Sequence, residues 1–192
     1  IDVGTDGRPV DGGRRRAAYP APVTVLLTAP AKLTLSLRVT GVRDDGFHLI
    51  DAEMVSLDLV DELELDESGD GVTVVHDGVA RPADPDDLVV RALAMVRRRA
   101  GVRLHKRIPA GAGLGGGSSD AAAVLRWAGM GDPLRAVELG ADVAFCLAGG
   151  RARVRGIGEE VEPLEPLERT LTLYTPPLHC STPEVYRRWD DM

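Results

Sequence analysis

Between Pro109 and Ala123 the chain reads PAGAGLGGGSSDAAA, a glycine-dense turn that runs into a helix-forming stretch. Gly111, Gly113, Gly115, Gly116 and Gly117 can take positive φ angles and let a ligand approach the main chain with no Cβ in the way. Ser118, Ser119 and Asp120 are residues that start helices, and Ala121–Trp127 favours helix, so the loop should end at a helix N-terminus with unpaired N–H groups and partial positive charge. Converging donors of this kind make a phosphate cradle, framed here by Pro109 and Leu114. The amides from Gly113 to Ser119 are the expected phosphate donors, and the hydroxyl of Ser118 or Ser119 is expected to face phosphate or a Mg²⁺ ion carried with it. Asp120 is expected to turn away from the phosphate, because like charges repel, and to cap the helix.

Other readings of the same loop fit less well. The P-loop pattern needs a lysine directly after its last glycine, and none follows here. Gly111, Gly113 and Gly116 satisfy G-x-G-x-x-G, but a run so rich in glycine meets many spacings by chance, and no strand ending in a ribose-binding acid follows. A flexible linker would not join a leading proline, a buried-type Leu114 and an alanine helix.

The bulk of the chain suits a soluble small-molecule enzyme. Its 192 residues, 44% of them hydrophobic, can bury a substantial core. A net charge of −7 disfavours nucleic acid as a partner, although local donors can still hold a small phosphorylated ligand. Cys146 and Cys180 have no metal-ligand spacing, and no secretion signal is apparent, so reduced thiols in a cytoplasm are expected. Apolar runs are too short to cross a bilayer.

The elements that must position the loop can be read in outline. Residues 1–22 mix glycine, proline and arginine without period and are expected to be a tail. From Val23 to Leu65 short β-branched blocks broken by Arg43-Asp44-Asp45-Gly46 predict β-hairpins, and Val72–His76 predicts another strand. Pro82–Asp87 opens a helix whose Leu88, Ala92, Leu93 and Val96 form one stripe, with Arg97, Arg98 and Arg99 in its last turn. Val102–Ile108 should be the strand entering the glycine loop. Leu134–Leu147 reads as helix, sharp turn, then helix or strand, and Gly150–Val161 and Thr170–Tyr174 read as strands before the Thr175-Pro176-Pro177 turn.

The glycine string resembles the second signature motif of the GHMP superfamily: galactokinase, homoserine kinase, mevalonate kinase and phosphomevalonate kinase. Its triple glycine and SSDAA continuation resemble the branch that phosphorylates a cytidine-diphosphate-linked methylerythritol in non-mevalonate isoprenoid synthesis. Ala29–Leu37 (APAKLTLSL) resembles that branch's first motif, Thr40–Leu49 (TGVRDDGFHL) its substrate-binding turn, and Leu139–Gly150 (LGADVAFCLAGG) the segment bearing its catalytic aspartate. The resemblance implies an α+β GHMP kinase fold: an N-terminal half like the second domain of ribosomal protein S5, over residues 23–165, then residues 166–192 as the start of a ferredoxin-like half. It implies ATP with Mg²⁺ as cosubstrate and a small molecule as acceptor.

Residue roles follow from the same match. Asp142 is the expected proton acceptor and Lys32 its cationic partner, which keeps the carboxylate ionised and polarises the attacking hydroxyl. Without the resemblance, an acid after Gly-Ala would be a helix cap and a single lysine a surface group. Phe47 and Tyr186 are expected to sandwich the base and His48 to bond its edge; Phe47 stands where tyrosine is commoner, which preserves the π face. Thr34 stands where the family has asparagine, and a hydroxyl cannot reproduce an amide's paired contacts. Asp87 stands near the expected adenine position. The connection from Trp127 to Leu139 is shorter than the family's, and its third glycine motif, of G-S-G-P-T type, has no counterpart before Met192. A fragment, another GHMP-type kinase, or a relative that binds nucleotide without turnover are the alternatives this leaves.

Overall fold

The computed structural model describes residues 24–174 and 181–191; the N-terminal tail, the Thr175-Pro176-Pro177 turn and Cys180 lie outside them. Two 19-residue strands, β1 (Thr24–Val42) and β2 (His48–Asp66), pair antiparallel along their whole length. The apolar blocks that suggest several short strands merge into two because the breaks between them are bulges. Register shifts fall at Pro30/Lys32, Thr34/Ser36 and Val39/Gly41, and a bulge re-aims side chains where a regular ladder would alternate them. The hairpin closes at the expected turn, where Arg43 N–H donates to Phe47 O at 2.8 Å.

β3 (Gly71–His76) and β4 (Val79–Pro82) form a second hairpin. Its turn, Asp77-Gly78, has positive φ at both residues, as the favoured two-residue hairpin turn demands; β4 is not anticipated by the sequence reading. β5 (Gly101–His105) runs parallel to β3 and antiparallel to Glu62–Asp66 of β2. β6 (Arg151–Gly156) takes the other part of the same β2 edge, and β7 (Glu160–Pro163) completes the order β4-β3-β5-β2-β6-β7, with β1 on the opposite edge of β2. Between Val55 and Glu62, β2 therefore has no strand partner on that edge among the described residues. Asp61, within this gap, accepts the main-chain N–H groups of Arg107 and Ile108 where the chain enters the glycine loop, which leads into α2 (Gly116–Trp127).

α1 (Leu88–Met95), α2, α3 (Pro133–Ala136) and α4 (Ala141–Ala148) supply the second layer, so Leu134–Leu147 resolves as helix, turn, helix. Val89, Ala92 and Leu93 of α1, Ala121–Leu125 of α2 and Val143–Cys146 of α4 share one core with Ala52, Met54, Leu63, Leu65, Val102, Leu104, Ala152 and Val154 of the sheet. Arg97–Arg99 do not form the last turn of α1: Arg97 takes a φ of 53° and Arg98 N–H closes on Leu93 O, a left-handed stop just past the helix end. Arg99 instead pairs with Asp70. Thr170–Tyr174 is not a strand. Leu171 and Leu173 alternate, yet together with Leu164 and Leu167 they line a groove against Leu35, Leu57 and Leu59, so packing meets the alternation without a ladder. α5 (Thr182–Asp190) ends the described chain.

Among the described residues Phe145 is the bulkiest fully buried side chain, and it lies on α4, the helix that carries Asp142. Phe145→Ala should lower unfolding free energy by about 3–5 kcal/mol through lost burial and an unfilled cavity. Urea titration followed by circular dichroism measures this, and a loss below about 1 kcal/mol would mean that α4 does not depend on the core.

Candidate active site

The glycine loop holds its shape by main-chain geometry. Gly111, Gly113 and Gly115 have φ of 72°, 73° and 63°, and Gly115 is the N-cap of α2. A Cβ at Gly115 would stand 2.7 Å from Lys32 Cγ, so only glycine lets the loop and the first motif lie against each other. Lys32 N–H donates to Leu114 O at 2.9 Å, which ties the two motifs through the backbone. Leu114 packs with Ala31 and Ile108 in a small core of its own beneath the turn.

The two serines part company. Ser118 lines the cavities on both sides of the loop. Ser119 is fully buried; its hydroxyl donates to Pro30 O at 2.6 Å and its N–H to Gly115 O at 2.9 Å. The expectation that Ser119 offers an amide or hydroxyl to phosphate is corrected: its N–H closes the first turn of α2 on Gly115, and its hydroxyl holds α2 to β1. Gly113, Leu114, Gly115, Gly116, Gly117 and Ser118 remain as the face of the cradle, with Pro109 and Gly111 lining the same cavity.

Asp120 does turn away from the loop, but it does not cap the helix. It sits a turn inside α2, buried, and accepts from Lys106 Nζ at 2.6 Å. The same ammonium donates to Asp61, whose other oxygen accepts the main-chain N–H groups of Arg107 and Ile108. Asp61 of β2, Lys106 at the loop entry and Asp120 of α2 thus form one buried ionic cluster under the glycines. The sequence reading misses it, because the three residues are far apart in the chain and lysines are usually exposed; the available signal was an acid amid the otherwise apolar run of α2. Burial pushes the Asp120 carboxyl up to about 7, against the pull of the Lys106 ammonium. Burial by itself would lower Lys106, but the charge of Asp120 and hydrogen bonds to Asp120 and Asp61 outweigh it and raise it.

On the other side of the loop the expected pair forms. Lys32 Nζ lies 3.1 Å from Asp142 Oδ2 and donates to Thr34 Oγ1 at 3.3 Å. Lys32 is nearly buried at the β1 bulge, and Asp142 stands in the first turn of α4, where the helix N-terminus favours its charge. Both line a cleft of about 700 Å³ together with Thr34, Phe47, His48 and Tyr186, so every residue proposed for acceptor binding comes to one place. The arrangement of the aromatics differs from a simple sandwich. Tyr186 stacks on His48 with ring centroids 4.6 Å apart, while Phe47 is 57% exposed at the rim. Burial, and then the Asp142 carboxylate, push the Tyr186 phenol up; Tyr186, Lys32 and Asp142 line the same cleft.

A second cavity of about 540 Å³ opens on the far side of the loop, lined by Val74, Leu88, Leu104 and Ile108 and by the loop from Pro109 to Ser118. Asp87 lines it too, with its carboxylate engaged in capping α1 through Val89 N–H at 2.8 Å. Gly113, Gly115 and Ser118 are common to both cavities. An anionic ligand in one and an acceptor in the other would meet at these residues. Among the described residues no group of three or more His, Cys, Asp or Glu side chains is placed to hold a metal ion, and no helix is long and apolar enough to cross a membrane.

Residues 87–150 match the family model of the GHMP kinases N terminal domain. A 4-diphosphocytidyl-2-C-methyl-D-erythritol kinase from Ruegeria pomeroyi is 42% identical over 172 residues, which span 83% of this chain and 61% of that protein. The chain belongs to the GHMP kinase family. A kinase of the same name from Neisseria meningitidis serogroup B is 40% identical over 174 residues, again 83% of this chain and 62% of the relative. The crystal structure of a 4-(cytidine 5'-diphospho)-2C-methyl-D-erythritol kinase superposes with a TM-score of 0.65 at 37% identity, over 85% of this chain and 63% of that one. A structure named "Putative Sugar Kinase from Campylobacter jejuni" is similar in fold, with a TM-score of 0.53 at 17% identity over 77% of this chain and 58% of that one. The chain therefore spans about three fifths of the length of the curated GHMP kinases it matches.

The buried cluster makes a pH prediction. The folded-state value of Asp120 lies above the ordinary 3.8, so the folded state binds that proton more tightly than the unfolded chain. The resulting stability is complete below pH 4 and is lost as pH rises toward 7, a decline on the order of 4 kcal/mol. In Asp120→Asn this contribution should be absent, so the stability difference between wild type and variant should change over that window and level off above it. Parallel pH dependences in urea titrations of the two proteins would refute the assignment.

Proposed function

We propose that this chain carries the ATP site and the phosphoryl-transfer centre of a kinase that phosphorylates the 2-hydroxyl of 4-diphosphocytidyl-2-C-methyl-D-erythritol, giving ADP and the 2-phosphate in the non-mevalonate isoprenoid pathway. The observation that carries the reading is the Lys32–Asp142 pair at 3.1 Å in a cleft whose lining runs from Gly113, Gly115 and Ser118 to Phe47, His48 and Tyr186. The names of the relatives supply the substrate. The same reading sets residues 23–165 as the ATP-binding domain and 166–192 as the beginning of a second.

Phosphoryl transfer asks for in-line positioning and for neutralisation of charge more than for covalent work. In this reading the amides from Gly113 to Ser118, at the N-terminus of α2, hold the β and γ phosphates. Magnesium carried with ATP would supply charge neutralisation for the transferred group, and Ser118, which lines both cavities, would face it with its hydroxyl. The acceptor hydroxyl lies against Lys32, which polarises it, and Asp142 takes its proton as the bond to phosphorus forms. Thr34, bonded to Lys32, occupies the position of an asparagine in relatives and leaves the lysine with one fixed neighbour besides Asp142. Phe47 and Tyr186 offer π faces to the cytosine, and the diphosphate lies between base and reacting hydroxyl.

Two variants test this reading. Asp142→Asn should bind ATP within about twofold of wild type yet phosphorylate the cytidine substrate at least roughly a hundredfold more slowly, the scale of a lost general base. Unchanged turnover would dismiss Asp142. Gly115→Ala, which meets Lys32 and needs a left-handed φ, should weaken ATP by about tenfold or more in calorimetry; tight ATP binding by that variant would move the nucleotide away from the loop.

A further inference from the structure

The recognition histidine is held from one direction. His48 begins β2, and its Nε2 lies 2.7 Å from Asp190 Oδ1. Its ring stacks on Tyr186 at 4.6 Å and meets Trp189 edge-on at 5.8 Å. Tyr186, Trp189 and Asp190 stand at i, i+3 and i+4 of α5, the spacing that puts side chains on one face of a helix. One face of α5 therefore converges on one imidazole, more than a hundred residues away in the chain. Val185 and Trp189 are half exposed, and among the described side chains none of α5 belongs to the buried core. His48, by contrast, is largely covered.

We infer that Asp190 is a positioning residue that fixes the His48 ring and thereby latches α5, with Tyr186 on it, over the acceptor cleft. A carboxylate only accepts, so the Nε2 it touches must carry a hydrogen, and Nδ1 is the ring nitrogen left to a ligand. The ring's orientation is set by a charge-assisted bond at its far side, as outer partners set the histidines of other sites. Tyr186 then lies where an acceptor must pass beneath or beside it. This inference rests on the proposed acceptor site for its ligand but not for the latch itself.

The chain contains two tryptophans, and Trp127→Phe leaves Trp189 as a reporter beside the latch. In that background Asp190→Ala should shift Trp189 emission to the red and weaken cytidine 5'-diphosphate by roughly tenfold, the scale of losing one charge-assisted bond. Asp190→Asn, whose amide oxygen can still accept from Nε2–H, should recover most of both signals, which a purely structural role would not require. ATP affinity should be unchanged throughout. Unaltered emission and unaltered diphosphate affinity in Asp190→Ala would overturn the latch. Altered emission, in a protein whose wild type binds no cytidine 5'-diphosphate, would support the latch and overturn the acceptor-site reading.

Discussion

One lysine joins the parts of this site. Lys32 gives its main-chain N–H to Leu114 in the glycine loop, its stem to the space where Gly115 has no Cβ, and its ammonium to Asp142 on α4. Three elements distant in sequence are registered to one another by a single residue. The β1 bulge makes this possible, because a regular strand would send Lys32 to the face its neighbours dictate. Loop, acceptor cleft and α4 are consequently interdependent.

Charge is handled differently on the two sides of the loop. On the cleft side, Lys32 is nearly buried and Asp142 about a third exposed, and both line the cavity that the proposed acceptor would enter. Beneath the loop, Lys106 is enclosed by Asp61 and Asp120, and the Arg107 and Ile108 amides use the remaining oxygen of Asp61. Taking such charges out of water is unfavourable unless they are paired. Their pairing fixes the point at which the strand becomes the loop, since Asp61 holds the Arg107 and Ile108 amides there, and a Cβ at Gly116 would crowd Lys106 Nζ at 3.1 Å. In the proposed reading the loop amides are thereby set before an anion arrives, which would lower the ordering required on binding. Cys146, on the buried face of α4, takes no part: burial pushes its thiol up to about 12, so it is inert core.

Local signals made much of this legible. The glycine spacing, Lys32, Asp142 and the Gly-Phe-His turn could be read because each depends on a short segment and on a motif that names its partner. The hairpin at Arg43–Gly46 and the stripe on α1 were legible for the same reason. What failed was decided by packing between segments. Ser119 looks like a phosphate ligand until Pro30 O is found above it. Asp120 looks like a cap until Lys106 is found beneath it. Thr170–Tyr174 has a strand's alternation, but its leucines find a groove before its backbone finds a partner. Arg97 ends α1 early through a left-handed φ that composition does not announce.

The two cavities share Gly113, Gly115 and Ser118, and this shared wall constrains the chemistry more than any single side chain does. A phosphoryl group held by amides on the wall can pass to an acceptor only along a line that crosses it. Lys32 and Asp142 line the acceptor-side cavity, so in the proposed reading the lysine would draw the attacking oxygen in while the carboxylate takes its proton away from the approaching phosphate. Reversing the two would place an anion against the polyphosphate, where repulsion is strongest. The Asp120 carboxylate, kept below the loop and beside its own lysine, avoids the same conflict on the nucleotide side. In the proposed reading, the separation of the two acids by the glycine turn is what would let an acidic chain hold a polyanion and still keep a base within reach of the transferred group.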